Sequence, residues 1–373
     1  MKKKFLDSVA LLLSIAFSLF LLELGSYVFW KKRVSKRRDN GVAFVLEALR
    51  DTVNLNSCSS FFSKKPNPYT LFWNNPTYRH NDSFTIYNSF GHRNNYESDI
   101  PCDFKILVLG ESTTNGYPYI KDNTKIWTYT LEQQLQQHFH KNIRVINAGL
   151  SYGTSAELFV HYAMNVNRIK PDMVIYHGGG NDPCAVLYEN YVPDYSHFRQ
   201  STIDKPRLFE KSLIRHSYFF KCLYANWLKD GGIIIDQPYG MEKLDRKLAF
   251  QRVKESKFEG FGNNLQNLIM LIQQHKQSML MVAFLHAKHN NFCNNRTDLT
   301  GLTDAFFMAY DKSDSLMKAL GNDYHVPFMK PDSTKYHADW FFDNCHLNAT
   351  GDSVKANEIY EKILELNLIK FNP

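Results

Sequence analysis

Short apolar runs that each end in a loop of small residues constrain this chain more than any other feature. Residues 104–110 read FKILVLG, residues 144–150 RVINAGL and residues 172–178 DMVIYHG. Apolar runs of this length with little polar alternation belong to strands buried on both faces, as in parallel sheets covered by helices. The segments between them carry a helical period. From Thr124 to about Phe139, Trp127, Leu131, Leu135 and Phe139 recur at every fourth position and form one face. Ala156 to Arg168 predicts a second helix. Strand, helix, strand, helix, strand at this spacing predicts right-handed βαβ units around a parallel sheet. The same grammar resumes with a helix near 252–275, a strand at 278–286 (SMLMVAFLH), a helix near 303–320, a short strand at Val326–Met329 and a last helix at Thr350–Leu366. The expected fold class is α/β.

Two stretches break this pattern. Residues 39–103 are polar and rich in Asn and Ser, with Pro66, Pro68 and Pro76, and read as a stalk and small extension with some strand at Phe84–Tyr87. Residues 183–250 read as an insertion in a body that otherwise spans 104–373, a candidate lid. Within it Leu208 to Leu228 predicts one helix with an aromatic face of Phe219, Phe220, Leu223, Tyr224 and Trp227. Packing on the body is the simple expectation for that face; contact with substrate or membrane is the alternative.

Charge separates the N-terminus from the rest. The chain has 373 residues and a net charge of +7, from 44 Lys and Arg against 37 Asp and Glu. Residues 1–38 hold nine basic and two acidic residues, leaving 35 of each sign in the remainder. A basic nucleic-acid-binding body is thereby excluded, and no nucleic acid is expected as a partner. Ser8 to Trp30 is a 23-residue apolar run with one charge, Glu23, and basic residues on both sides. At about 1.5 Å per residue it reaches across a hydrocarbon core of about 30 Å. No small-residue cleavage site follows it, so residues 1–38 read as an uncleaved transmembrane anchor with basic flanks rather than a signal peptide. More basic residues follow the run than precede it, which by charge alone favours a cytoplasmic body. The six cysteines contain no C-x-x-C pair; their even number permits disulfides without requiring them. His286 and His289 form H-x-x-H with no third ligand at helical spacing, so no metal or cofactor is expected.

In open α/β sheets, sites lie beyond the carboxyl ends of the strands. The loops there are Gly110-Glu111-Ser112-Thr113-Thr114, Asn147-Ala148-Gly149 and Gly178-Gly179-Gly180-Asn181-Asp182, with Asp343-Asn344-Cys345-His346 before the last helix. This set meets the demands of hydrolytic acyl transfer. Ser112 needs a base, and His346 can be one. Asp343 can fix the imidazole's tautomer. The N–H groups of Ser112 and Gly149 and the amide of Asn181 are candidate donors to an oxyanion.

These blocks resemble the SGNH hydrolases, also called GDSL esterases and lipases. Gly110-Glu111-Ser112, Gly149, Gly179-Gly180-Asn181-Asp182 and Asp343-x-x-His346 stand in the family's order over about 104–366. The first block departs from the usual Gly-Asp-Ser, and Asn88-Ser89-Phe90-Gly91-His92-Arg93 is similar to a segment of membrane-anchored bacterial members. The resemblance implies a flavodoxin-like three-layer sandwich around a central parallel five-stranded sheet, preceded here by one transmembrane helix. It implies a serine esterase with Ser112, His346 and Asp343 as catalytic residues, an oxyanion hole of Ser112, Gly149 and Asn181, and no metal. An ester-bearing glycan or lipid of the cell envelope is the implied substrate, with the body outside the cytoplasm. An O-acyltransferase on a surface polysaccharide and a non-catalytic glycan-binding scaffold are the alternatives.

Overall fold

A computed structural model describes residues 2–35, 45, 64–67, 69–76, 85–187, 190–198, 208–227, 245–287 and 302–371. Along the chain run α1 (Lys2–Ser35), β1 (Lys64–Asn67), β2 (Leu71–Asn74), β3 (Phe104–Gly110), α2 (Ser112–Asn115), α3 (Trp127–Phe139), β4 (Ile143–Gly149), α4 (Ser155–Ile169), β5 (Met173–His177), α5 (Asp182–Leu187), α6 (Leu208–His216) and α7 (Tyr218–Trp227). Then follow α8 (Arg246–Glu255), α9 (Glu259–Gln274), β6 (Ser278–Val282), α10 (Thr303–Tyr324), β7 (Phe328–Met329) and α11 (Ala349–Glu365). The chain divides into two compact units, Met1–Pro66 with Thr202–Ile234, and Asn67–Ser201 with Ile235–Pro373.

The larger unit is built on a five-stranded parallel sheet in the order β4-β3-β5-β6-β7. Each strand sends alternate residues to opposite faces. Phe104, Ile106 and Val108 of β3 meet Trp127, Leu131 and Leu135 of α3 and Ile359 and Ile363 of α11. Leu107 and Leu109 face the other way, into a core shared with Leu158 and Tyr162 of α4, Leu265 and Ile269 of α9 and Phe306 and Met317 of α10. Helices on both faces are why β3 reads as a continuous apolar run from Ile106 to Leu109. The strand order reverses beside β3, the point at which doubly wound sheets open a crevice at the carboxyl edge. Register makes that edge level, because Gly110 pairs with both Gly149 of β4 and His177 of β5.

Local chemistry sets the helix boundaries. Thr154 and Glu157 form a reciprocal capping box that starts α4. The helix expected near 252–275 is two, α8 and α9, divided at Phe258, whose φ of 54° is left-handed. The strand expected at Phe84–Tyr87 is not formed: Thr85–Tyr87 is irregular, and Phe84 lies outside the described residues. Nor is 69–103 wholly a stalk. Phe72, Trp73 and Phe90 enter the core on the α4 side, and His92 is buried with its Nε2 2.7 Å from His161 Nε2. Trp73 stacks on His161 at 3.6 Å between ring centroids.

In the smaller unit, α1 contains a segment, Phe5–Val34, long and apolar enough to cross a membrane, with mean hydropathy 2.3. The single helix expected at 208–228 is two, α6 and α7, parted at Ser217. Trp30 of α1, Ile214 of α6, and Cys222 and Ala225 of α7 form one buried cluster. Among the described residues no disulfide joins any two of Cys102, Cys184, Cys222 and Cys345; Cys58 and Cys293 lie outside them, as does His289.

Burial holds His92 neutral, lowering its pKa from 6.5 to about 3, and pushes His161 and His177 well below 6.5. The unfolded chain takes up protons on these groups below about pH 6.5 while the folded chain does not, so stability falls as pH drops through that value. Thermal unfolding between pH 7 and 5 is expected to show a falling midpoint, with a smaller slope in His161→Gln. A midpoint independent of pH over that range would count against buried neutral imidazoles.

Candidate active site

The turn after β3 is made tight by Gly110, where a Cβ would lie 2.1 Å from Thr114 Oγ1. Glu111 follows, wholly buried, and half-buried Ser112 opens the one-turn helix α2. The first N–H groups of any helix lack partners within it, which leaves the Ser112 N–H outside the helix ladder. Gly116, with φ 76°, ends α2.

Glu111 reaches across to the loop after β5. Its Oε1 accepts the N–H of Gly179 at 2.8 Å and of Gly180 at 3.2 Å. Burial first, and then the nearby Asp182 carboxylate, push the Glu111 carboxyl well above its ordinary range, against the pull of backbone N–H groups from Gly179, Asn181 and Gly180. Asp182 is also buried and raised, and it accepts Ser155 N–H and Oγ–H and, at 2.6 Å, Tyr195 O–H. The acid beside the serine is therefore a strut that fixes the backbone leading to Asn181. Asn181 Nδ2 donates to Gly153 O at 2.8 Å; an amide has a second N–H.

Gly149 serves differently from expectation. Its N–H is already spent on Asn147 Oδ1 at 2.9 Å, so it is not a free oxyanion donor. The residue must be glycine because a Cβ would come 2.4 Å from Asn115 N. The loop beyond it, through Gly153, is the part of this segment that meets Asn181.

Asp343 and His346 meet as their spacing suggests. His346 Nδ1 lies 2.7 Å from Asp343 Oδ2 and 2.9 Å from Oδ1. Oδ1 also accepts the N–H of Cys345 and His346. Burial alone would raise the Asp343 carboxyl, but the hydrogen bond and charge of His346 and these N–H groups outweigh it and hold the carboxyl well below its ordinary 3.8. The Phe341–Leu347 bridge closes the base of the loop. No hydrogen bond links Ser112 to His346 among the described residues.

Three residues to which the sequence reading gave no role in the site join these loops. Tyr119, seven residues after Ser112, donates to Asp343 Oδ2 at 2.9 Å and stacks on the His346 ring at 4.3 Å. Arg93, wholly buried, donates to Asn123 Oδ1 and to the carbonyls of Asn115, Ile120 and Lys121, clamping the segment that carries Tyr119. Lys355 of α11, also buried, pairs with Asp352 at 2.9 Å and donates to Thr113 O at 3.1 Å. Only the Asn88–Arg93 segment gave any signal of this in the sequence. His177 packs within the sheet edge, its Nδ1 2.8 Å from Thr114 Oγ1.

Asp343, Cys345 and His346 also offer ligand atoms within 4.8 Å of one another, close enough to hold a metal ion. Such an ion would compete for His346 Nδ1, the atom now bonded to Asp343.

A family model for GDSL-like lipase/acylhydrolase matches residues 106–359. The chain belongs to that family. It is thus an SGNH-type serine ester hydrolase with the five-stranded parallel sheet of that fold. No curated protein matches this GDSL-family chain. Among solved structures it is similar to a carbohydrate acetylesterase of Sinorhizobium meliloti, at 16% identity and TM-score 0.42, covering 70% of this chain and 99% of that one. A catalytic mutant of an acetylxylan esterase from Geobacillus stearothermophilus is similar at 16% identity and TM-score 0.42, covering 71% and 96%. A GDSL-like lipase of Bacteroides thetaiotaomicron is similar at 11% identity and TM-score 0.38, covering 71% and 89%.

The strut makes a specific demand. Glu111→Gln keeps an acceptor for Gly179 and Gly180 and removes the repulsion with Asp182, so activity stays close to wild type and stability becomes less dependent on pH. Glu111→Ala frees the loop and lowers kcat by about 10–100-fold, less than the roughly 10²–10³ lost when an oxyanion donor is removed outright. Steady-state rates and thermal unfolding of the two variants check this; equal losses in both would show that the acceptor role is irrelevant.

Proposed function

We propose that the chain is a membrane-anchored serine esterase that removes O-acetyl or short acyl groups from a glycan or lipid of the cell envelope. Ser112 Oγ attacks the ester carbonyl while His346 Nε2 takes its proton. Asp343 holds the imidazole with Nδ1 protonated and stabilises the imidazolium that forms. The Ser112 N–H and the second amide N–H of Asn181 bind the oxyanion. His346 returns the proton to the leaving alcohol, leaving an acyl-Ser112 ester. Water, activated by His346, then attacks that ester and releases the acid.

The observation that carries this reading is the Asp343–His346 pair, held from the other side by Tyr119 on the segment that continues from Ser112. The depressed Asp343 carboxyl keeps its charge at any pH where the esterase would work. Its contribution to stability is complete above the unfolded value of about 3.8 and is lost as pH falls through the lower folded value. The balanced charge of the chain beyond residue 38 suits neutral esters better than phosphates. In this reading α1 stays attached as a single span, with the catalytic body outside the cytoplasm.

Hydrolysis of p-nitrophenyl acetate tests the assignment. Ser112→Ala is expected to fall to background, and Asp343→Asn to lose on the order of 10²–10⁴ in kcat, because the amide supports the wrong imidazole tautomer. Unchanged turnover in Ser112→Ala would sink it. Acyl groups appearing on an added glycan instead of in free acid would reassign the second step to a sugar acceptor.

A further inference from the structure

The smaller unit holds an arrangement that the esterase reading does not use. Helix α7 runs parallel to the last third of α1. At its start, the Glu23 carboxylate accepts Ser217 Oγ–H at 2.7 Å, the Tyr218 N–H, and the Phe219 N–H at 3.2 Å. Midway, Cys222 Sγ donates to Ser26 O at 3.4 Å, and Tyr27 and Tyr218 pack edge to face at 4.8 Å. Near its end, Arg33 donates to Asn226 Oδ1 at 2.7 Å. The contact thus extends over the eleven residues from Glu23 to Arg33, about 15 Å of helix.

Glu23 lies eight residues before Lys31, so it stands about 12 Å inside the apolar part of α1. A carboxylate at that depth is costly unless it is fully partnered. Here it meets the positive end of a second helix and its orphan N–H groups, so each side satisfies the other. In water both would be hydrated and the pairing would gain little. Apolar side chains continue from one helix to the other. Val28 and Phe29 of α1 are exposed, as is Leu223 of α7, while Lys221 stands over the Tyr218 ring at 4.2 Å. Arg215 and His216, exposed at the end of α6, lie within two residues of Ser217 and so at the level of Glu23, where a cationic side chain is accommodated only by snorkelling toward water.

We propose that α6 and α7 form a membrane-seated hairpin, held against α1 by Glu23 within the leaflet next to the basic flank, with lipid acyl chains covering its outer face. This rests on reading α1 as a retained span. The central part of the insertion then extends the anchor instead of acting as a lid.

The full chain, reconstituted in phosphatidylcholine–phosphatidylglycerol vesicles, tests this. A bimane probe at Leu223→Cys, with the native cysteines replaced, is expected to be quenched by doxyl-labelled lipid and poorly by aqueous iodide. With Glu23→Ala added, lipid quenching is lost and iodide quenching gained. In the chain with its native cysteines, trypsin spares Arg215 and Lys221 until Glu23→Ala exposes them. Hydrolysis of p-nitrophenyl acetate remains unchanged, because Glu23 is outside the catalytic residues. Iodide quenching of the wild-type probe, or equal trypsin protection in Glu23→Ala, would overturn the proposal. Extraction of the wild-type chain by alkaline carbonate would overturn the retained span itself, and loss of esterase activity in Ser112→Ala is read separately from both.

Discussion

The site depends on the register of one strand. β3 lies between β4 and β5, and Gly110 pairs with the last residue of each, Gly149 and His177. A slip of one residue would turn every β3 side chain to the opposite helix layer and separate the three loops. With the register fixed, the backbone after Ser112 passes so close to β4 that only glycine fits at 149. The Glu111 carboxylate is then within reach of Gly179 and Gly180. The buried acid is costly alone, but it joins the turn that carries the serine to the loop that carries Asn181.

The second half of the site comes from about 230 residues further along the chain and needs its own fastening. Lys355 ties α11 to Thr113, and Asp352 accepts the N–H of Trp127 at the start of α3. Arg93 holds the segment that bears Tyr119, and Tyr119 holds both Asp343 and His346. The Asp343–His346 pair is thus supported by buried charged groups with satisfied partners, where removing one member leaves the other desolvated and unpaired.

How much of this was legible follows from how local each determinant is. The strands of the sheet were readable because burial on both faces writes them as apolar runs. Asp343 and His346 were readable because three residues separate them. The family order singled out Ser112 and Asn181 as candidates. Lys355 was not readable, since a lysine three residues after an aspartate on a helix resembles a surface pair. Arg93 acts mainly through backbone carbonyls, and Tyr119 through side chains 224 residues further along the chain, neither of which has a sequence signature. Gly149 was recognised as a glycine with a purpose, but close approach decides its identity and Asn147 takes its N–H. The break at Ser217 was missed because its cause, Glu23, lies 194 residues away.

The central claim is that Ser112 is a nucleophile activated by His346. The most direct measurement is peptide mass spectrometry of the purified full chain after brief exposure to a fluorophosphonate. A single phosphonylated peptide containing Ser112, strongly diminished in His346→Ala, is the predicted result. An unmodified Ser112 in the wild-type chain, or labelling unaffected by His346→Ala, would contradict it.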